Sequence, residues 1–156
     1  MRNELKMDAQ DETRIILLVE DDPGDQELTR RALADCKRHI RLQVVNDGDE
    51  ALDYLYRRNA YADTERYPLP DLILLDLNLI RLNGIQVLEQ VRNDLRLQHI
   101  PVIMLTTSQQ ERDVTRAYNS GACSYVVKPS GIEQFTKILR IIEEYWFNTV
   151  RLPSRR

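Results

Sequence analysis

The sequence predicts an α/β domain with a doubly wound parallel sheet, on three observations. Five short apolar runs recur along the chain: Ile15–Val19, Leu42–Val45, Leu72–Leu75, Val102–Leu105 and Tyr125–Val127. Amphipathic helical stretches separate them, the alternation that yields parallel strands joined by crossover helices. The first, third and fourth runs are apolar throughout, as strands are when helices cover both faces of a sheet.

The second run is shorter and carries Gln43, which fits an edge strand. After Pro23 and Gly24, which suit a loop-to-helix entry, the stretch Gln26–Lys37 places Leu28, Ala32, Leu33 and Cys36 near one face. Gly48–Arg58, Ile85–Leu95, Glu111–Asn119 and Ile132–Phe147 are patterned similarly. Residues 1–12 show no apolar periodicity and predict a flexible tail ahead of a domain over 13–147, with 148–156 as a C-terminal tail. Asn59–Pro70, carrying Tyr61 and Tyr67, is long for a helix-to-strand link. Two readings of it stand open: a partner surface, or an insertion packed on the sheet edge.

A length of 156 residues with 42% hydrophobic content suffices for one core. The formal charge of -3, from 22 basic and 25 acidic residues, argues against an electrostatic nucleic-acid or membrane binder. No apolar run approaches the roughly 18 residues needed to span a bilayer. Met1–Thr13 lacks an apolar core of the kind a secretory signal needs, so a cytoplasmic setting is expected. Cys36 and Cys123 have no metal-ligand spacing and read as packing residues in a reduced compartment.

Ligands of a doubly wound sheet bind beyond the carboxyl ends of its strands. There the first run continues into Glu20-Asp21-Asp22, the third into Asp76, the fourth into Thr106-Thr107-Ser108 and the fifth into Lys128-Pro129. Clustered carboxylates repel unless a cation compensates, and an oxygen-only set suits a hard divalent ion, magnesium. A carboxylate beside such an ion and a lysine is equipped to take a phosphoryl group, with Thr106 as hydrogen-bond donor. Singly, each group has a simpler reading: an acidic helix start, a loop aspartate, a helix cap, a surface lysine.

The motifs Ile16–Asp22, Asp71–Leu79, Pro101–Thr106 and Gly121–Pro129, in this order, resemble response-regulator receiver domains of two-component phosphorelays, over roughly residues 13–147. The resemblance implies a flavodoxin-like (βα)5 sheet of strand order 2-1-3-4-5, with Asp76 as phosphoacceptor. Asp21 and Asp76 would bind magnesium directly, Glu20 through water, and Asn78 through its backbone carbonyl. Thr106 would contact the acyl phosphate and Lys128 would pair with it. Thr106 and Tyr125 would form the conformational switch, and Lys128-Pro129 would be the family's cis peptide. More narrowly, the tyrosine-bearing loop and the ending Glu143–Pro153 resemble cyanobacterial phytochrome-associated response regulators. That likeness implies a phytochrome histidine kinase as phosphodonor and a homodimer.

The chain departs from the family in the loop after the phosphoacceptor, where Ile80, Leu82 and Asn83 replace the usual proline, methionine and aspartate while Gly84 remains. Asn148–Arg156 is too short for an output domain, so output is expected through protein contact, with Tyr145, Trp146 and Phe147 as the dimer interface. Three rivals are weaker. A phosphohydrolase of haloacid-dehalogenase type needs an acid two residues after its nucleophile, where Asn78 stands. An FMN binder would meet repulsion from Glu20-Asp21-Asp22. A phosphorylation-independent interaction module would not need the full set of groups.

Overall fold

The structure is a computed structural model that describes residues 13–36 and 38–154. The expected tail over 1–12 lies outside the described residues. Five parallel strands, β1 (Arg14–Val19), β2 (Ile40–Val45), β3 (Leu72–Leu75), β4 (Val102–Thr106) and β5 (Ser124–Val127), form one sheet of order β2-β1-β3-β4-β5. The helices are α1 (Pro23–Ala34), α2 (Gly48–Leu55), α3 (Gly84–Asn93), α4 (Glu111–Asn119) and α5 (Ile132–Glu143). Fold class and strand order match the sequence-based expectation.

Strand alternation divides the core into two layers. Leu17, Val19, Ile73, Leu75, Val102 and Met104 face α2, α3 and α4. Ile16, Leu18, Leu72, Leu74, Ile103 and Leu105 face α1 and α5. Strands β1, β3 and β4 lie inside the sheet, and the β3 and β4 residues are all buried. The polar run β2 is an edge strand, as its composition predicts.

Helix boundaries differ from the apolar pattern where capping groups decide them. Asp22 accepts from the Gly24 N–H at 2.9 Å with Pro23 in the first turn, so α1 begins before its first apolar residue. Asn83 and Gln86 close a capping box at the start of α3, each side chain accepting the other's backbone N–H at 3.0 Å.

The long loop is an insertion packed on the core. Tyr61 and Tyr67 meet edge-on at 4.8 Å between ring centroids, and both contact the ring of buried Tyr54 on α2. Tyr54 donates to the Pro68 carbonyl at 2.7 Å and Tyr61 to Glu50 at 2.6 Å. Tyr54→Phe is expected to lower stability by about 1 kcal/mol, read from the urea midpoint, because the Pro68 carbonyl loses its donor. An unchanged midpoint would show that water replaces the hydroxyl.

The two thiols are not equivalent. Cys36 is half-buried on α1's face of the sheet, but Cys123 is exposed, correcting its reading as a packing residue. It precedes the edge strand β5 in a turn that leaves its side chain outside the core. Burial pushes the Cys36 thiol up to about 11, whereas alkylation needs the thiolate. Iodoacetamide at about pH 8, near the ordinary thiol range, is therefore expected to label Cys123 first; equal rates by peptide mass would contradict this.

At its end α5 widens into a π-helical turn, Glu144–Thr149, closed by the Val150 N–H donating to the Tyr145 carbonyl at 2.9 Å. Phe135, Leu139 and Ile142 line the inner face of α5, and the wide turn brings Phe147 onto the same face. Phe147 is thus a core residue, which corrects its assignment to a dimer interface. Trp146 is half-buried, and Tyr145, stacked edge-on against it, is exposed. Among the described residues no helix is long and apolar enough to cross a membrane.

Candidate functional site

Chain order reverses at β1, whose neighbours are β2 on one side and β3 on the other. Such a switch point opens a crevice at the carboxyl ends of the strands. The register pairs Val19 with Leu75, so the next residues, Glu20 and Asp76, leave adjacent strands at the same level. The Asp76 N–H still donates to the Val19 carbonyl at 3.1 Å, holding the turn against β1. Glu20, Asp21 and Asp76 each offer a carboxylate oxygen, and these atoms all lie within 4.8 Å of one another. Asp22, by contrast, is spent on the α1 cap.

The other side of the crevice comes from β4 and β5. Thr106 pairs with Val127, and the Lys128 N–H donates to the Thr106 carbonyl at 2.8 Å, extending the ladder by one residue. Lys128 Nζ then donates to Asp76 Oδ2 at 3.1 Å, to Asp25 Oδ2 at 2.9 Å and to Glu20 Oε1. The peptide bonds of the described residues are all trans, so the expected cis bond at Lys128-Pro129 is corrected. The strand ladder and the lysine's four-carbon reach aim the ammonium inward with the trans bond.

Electrostatics follow from this packing. Burial pushes the Glu20 carboxyl up to about 8, against the pull of the Lys128 ammonium. Burial also works to lower the Lys128 ammonium, but its bonds to Glu20 and Asp25 and the Asp76 charge outweigh it, and the group is held charged. Asp76 Oδ1 accepts the Asn78 N–H at 3.1 Å, so each oxygen of this carboxylate has one donor from the chain.

The Thr106 hydroxyl is fully buried and has no hydrogen-bond partner, a costly state for such a group. It does not cap α4, whose first flanking residue is Gln110. Tyr125 is half-buried on β5 and donates to the Ser108 carbonyl at 2.9 Å, tying β5 to the loop after β4. Burial raises its phenol. Ser108 also donates to Asp113 of α4 at 2.5 Å.

Asp25 was not among the residues singled out from sequence. At the third position of α1 an aspartate reads as a partner of the helix dipole, and nothing local signals its contact with a lysine 103 positions away. Gly84 has a further role: a Cβ there would lie 2.3 Å from the Asp76 carbonyl oxygen, so only glycine lets α3 start against the end of β3.

Comparison with known proteins identifies the family. Residues 16–140 match the family model "Response regulator receiver domain". "Response regulator Rcp1" of Synechocystis is 35% identical over 147 residues, covering 94% of this chain and 98% of that one. The structure of the phosphorylated cyanobacterial phytochrome response regulator RcpA superposes with a TM-score of 0.87 at 38% identity, covering 92% of this chain and all (100%) of that one. The Mn(2+)-bound form of Rcp1 superposes at 0.84 with 36% identity, covering 90% and 99%. Similarity this extensive, over chains of matching length, shows that this protein belongs to the response regulator receiver domains, alongside the phytochrome response regulators.

Proposed function

We propose that Asp76 accepts a phosphoryl group from a sensor histidine kinase, and that the resulting change of surface is the protein's signal. The observation that carries this reading is the convergence of Glu20, Asp21, Asp76 and the Lys128 ammonium in one crevice, beside a buried threonine hydroxyl without a partner. A carboxylate oxygen of Asp76 attacks phosphorus of a phosphohistidine, the P–N bond breaks, and the imidazole leaves with the electron pair. Lys128 pairs with a phosphoryl oxygen, and the Thr106 hydroxyl finds there the acceptor it lacks.

The oxygen-only donor set suits magnesium, which Asp21 and Asp76 would hold directly, Glu20 through water and Asn78 through its backbone carbonyl. When bound, the ion supplies neutralising charge for the equatorial oxygens. As Thr106 moves toward the phosphoryl group, Tyr125 leaves the Ser108 carbonyl and turns inward. Near-complete switching requires about 5.5 kcal/mol of differential interaction, within reach of a few charge-assisted hydrogen bonds. Hydrolysis by an in-line water resets the domain, so the chain catalyses only its own phosphotransfer and dephosphorylation.

The relatives Rcp1 and RcpA support a phytochrome as the kinase. Output then runs through protein contact in the cytoplasm. The face of α5 and its π-helical turn that bears Ile132, Ile141 and Tyr145, exposed large apolar groups, supports a homodimer.

The test is incubation with acetyl phosphate and magnesium, followed by intact mass. The wild type gains one phosphoryl group, the chelated sample gains none, and Asp76→Asn gains none. A gain retained by Asp76→Asn, or none in the wild type, overturns the assignment.

A further inference from the structure

Lys128 spends its three ammonium protons on three carboxylates that arrive from three elements: Glu20 from the end of β1, Asp76 from the end of β3 and Asp25 from the first turn of α1. The lysine side chain is only 6% exposed, so water does not share this work. Two of the three carboxylates, Glu20 and Asp76, belong to the cluster that can hold a cation, while Asp25 is not a member. Their oxygens must therefore divide themselves between the lysine and an ion, and Asp76 must also take the phosphoryl group. Asp25 is the one partner of Lys128 that neither event engages.

The turn carrying Asp25 is braced against the sheet. Gln26 donates to the Glu20 carbonyl at 2.6 Å and to Asn46 Oδ1 at 2.9 Å, and Asp22 caps the same turn. The Asp25 carbonyl accepts the hydroxyl of buried Thr29 at 2.8 Å, one turn later. A long flexible side chain is thus anchored to a short one on a fixed helix end.

From this geometry we infer that Asp25 is a positioning residue: it tethers the Lys128 ammonium beside Asp76 independently of the cation, so that the lysine is in place when the phosphoryl group arrives. The inference rests on Asp76 being the phosphoacceptor. It assigns Asp25 no contact with the cation or with the phosphoryl group.

The test compares the wild type, Asp25→Ala and Asp25→Asn, the last keeping a neutral oxygen for the ammonium. The first readout needs neither cation nor donor: the Lys128 side-chain ammonium signal in nitrogen-15 NMR, assigned by its loss in Lys128→Arg. A tethered ammonium exchanges slowly and is seen in the wild type and in Asp25→Asn, and is lost in Asp25→Ala. The second readout is phosphorylation by acetyl phosphate at saturating magnesium. Asp25→Ala slows about tenfold, as loss of one charge-assisted bond implies, and Asp25→Asn recovers most of the rate. Saturating magnesium keeps the rate comparison free of the cation affinity that removing a nearby negative charge costs, a cost that Asp25→Ala and Asp25→Asn share.

Wild-type ammonium signal and rate in Asp25→Ala would overturn the tether, as would Asn behaving like Ala on both readouts. Absence of phosphorylation in the wild type would instead sink the phosphoacceptor reading, while the metal-free ammonium signal would still judge the tether.

Discussion

Replacing Lys128 by alanine is expected to abolish phosphorylation by acetyl phosphate and to destabilise the cation-free protein by about 3 kcal/mol, or roughly 6–12 °C in Tm. The substitution leaves Glu20, Asp25 and Asp76 without the ammonium that all three bond. Glu20 is 2% exposed, so solvent cannot stand in for the ammonium when its carboxyl ionises. The sign of the pH response follows. A carboxyl whose folded value lies above its unfolded one binds more protons when folded, so stability falls as pH rises between the two. For Glu20 of the intact protein that window runs from 4.5 to about 8. Without Lys128 the Glu20 carboxyl is pushed higher still, so the variant should go on losing Tm above about pH 8, where the wild type levels off. A divalent cation held by the folded state alone should return most of the loss. Scanning calorimetry of both proteins, with and without magnesium, checks this. Equal pH slopes would show that the lysine does not compensate the cluster.

The second large effect is expected at Gly84. A Cβ there would meet the Asp76 carbonyl oxygen at 2.3 Å and the Leu77 Cα at 2.9 Å, both backbone atoms that cannot rotate away. Either α3 or the turn after β3 must shift. The Gly84 N–H donates to the Leu77 carbonyl at 3.0 Å, so a shift also strains that closure. Gly84→Ala should cost about 1–3 kcal/mol by overpacking. It should also slow phosphorylation by about a hundredfold, the scale of an ångström's misplacement of a reacting group. Gly131→Ala is the contrast: nothing lies within 4 Å of its added methyl, and as a helix N-cap change it should cost less than about 1 kcal/mol. Urea titrations and the rate of mass gain measure both. If Gly84→Ala phosphorylates at the wild-type rate, the close approach does not position Asp76.

The loop after Asp76 lacks the family's proline, and the structure shows what replaces it. Asn83 closes a capping box with Gln86 and Gly84 fits against Asp76, so the turn is held at its far end without a fixed φ near its start. Beside this loop the acidic cluster of Glu20, Asp21 and Asp76 is in place.

What the amino-acid sequence determined by itself is local or periodic. Strands buried on both faces announce themselves by unbroken apolar runs, and the groups at their carboxyl ends must gather at one edge of any parallel sheet, which is why Glu20, Asp21, Asp76, Thr106 and Lys128 were all legible as one site. Three features were decided only by tertiary structure. Asp25 joins Lys128 because α1 packs its first turn over the end of β1, a contact 103 residues apart that no spacing encodes. Phe147 turns inward because a π-helical turn changes the period that would have left it outside. The tyrosines of the long loop close on Tyr54 because the rings find their partners across the chain, and a loop's own composition holds no record of what it will cover.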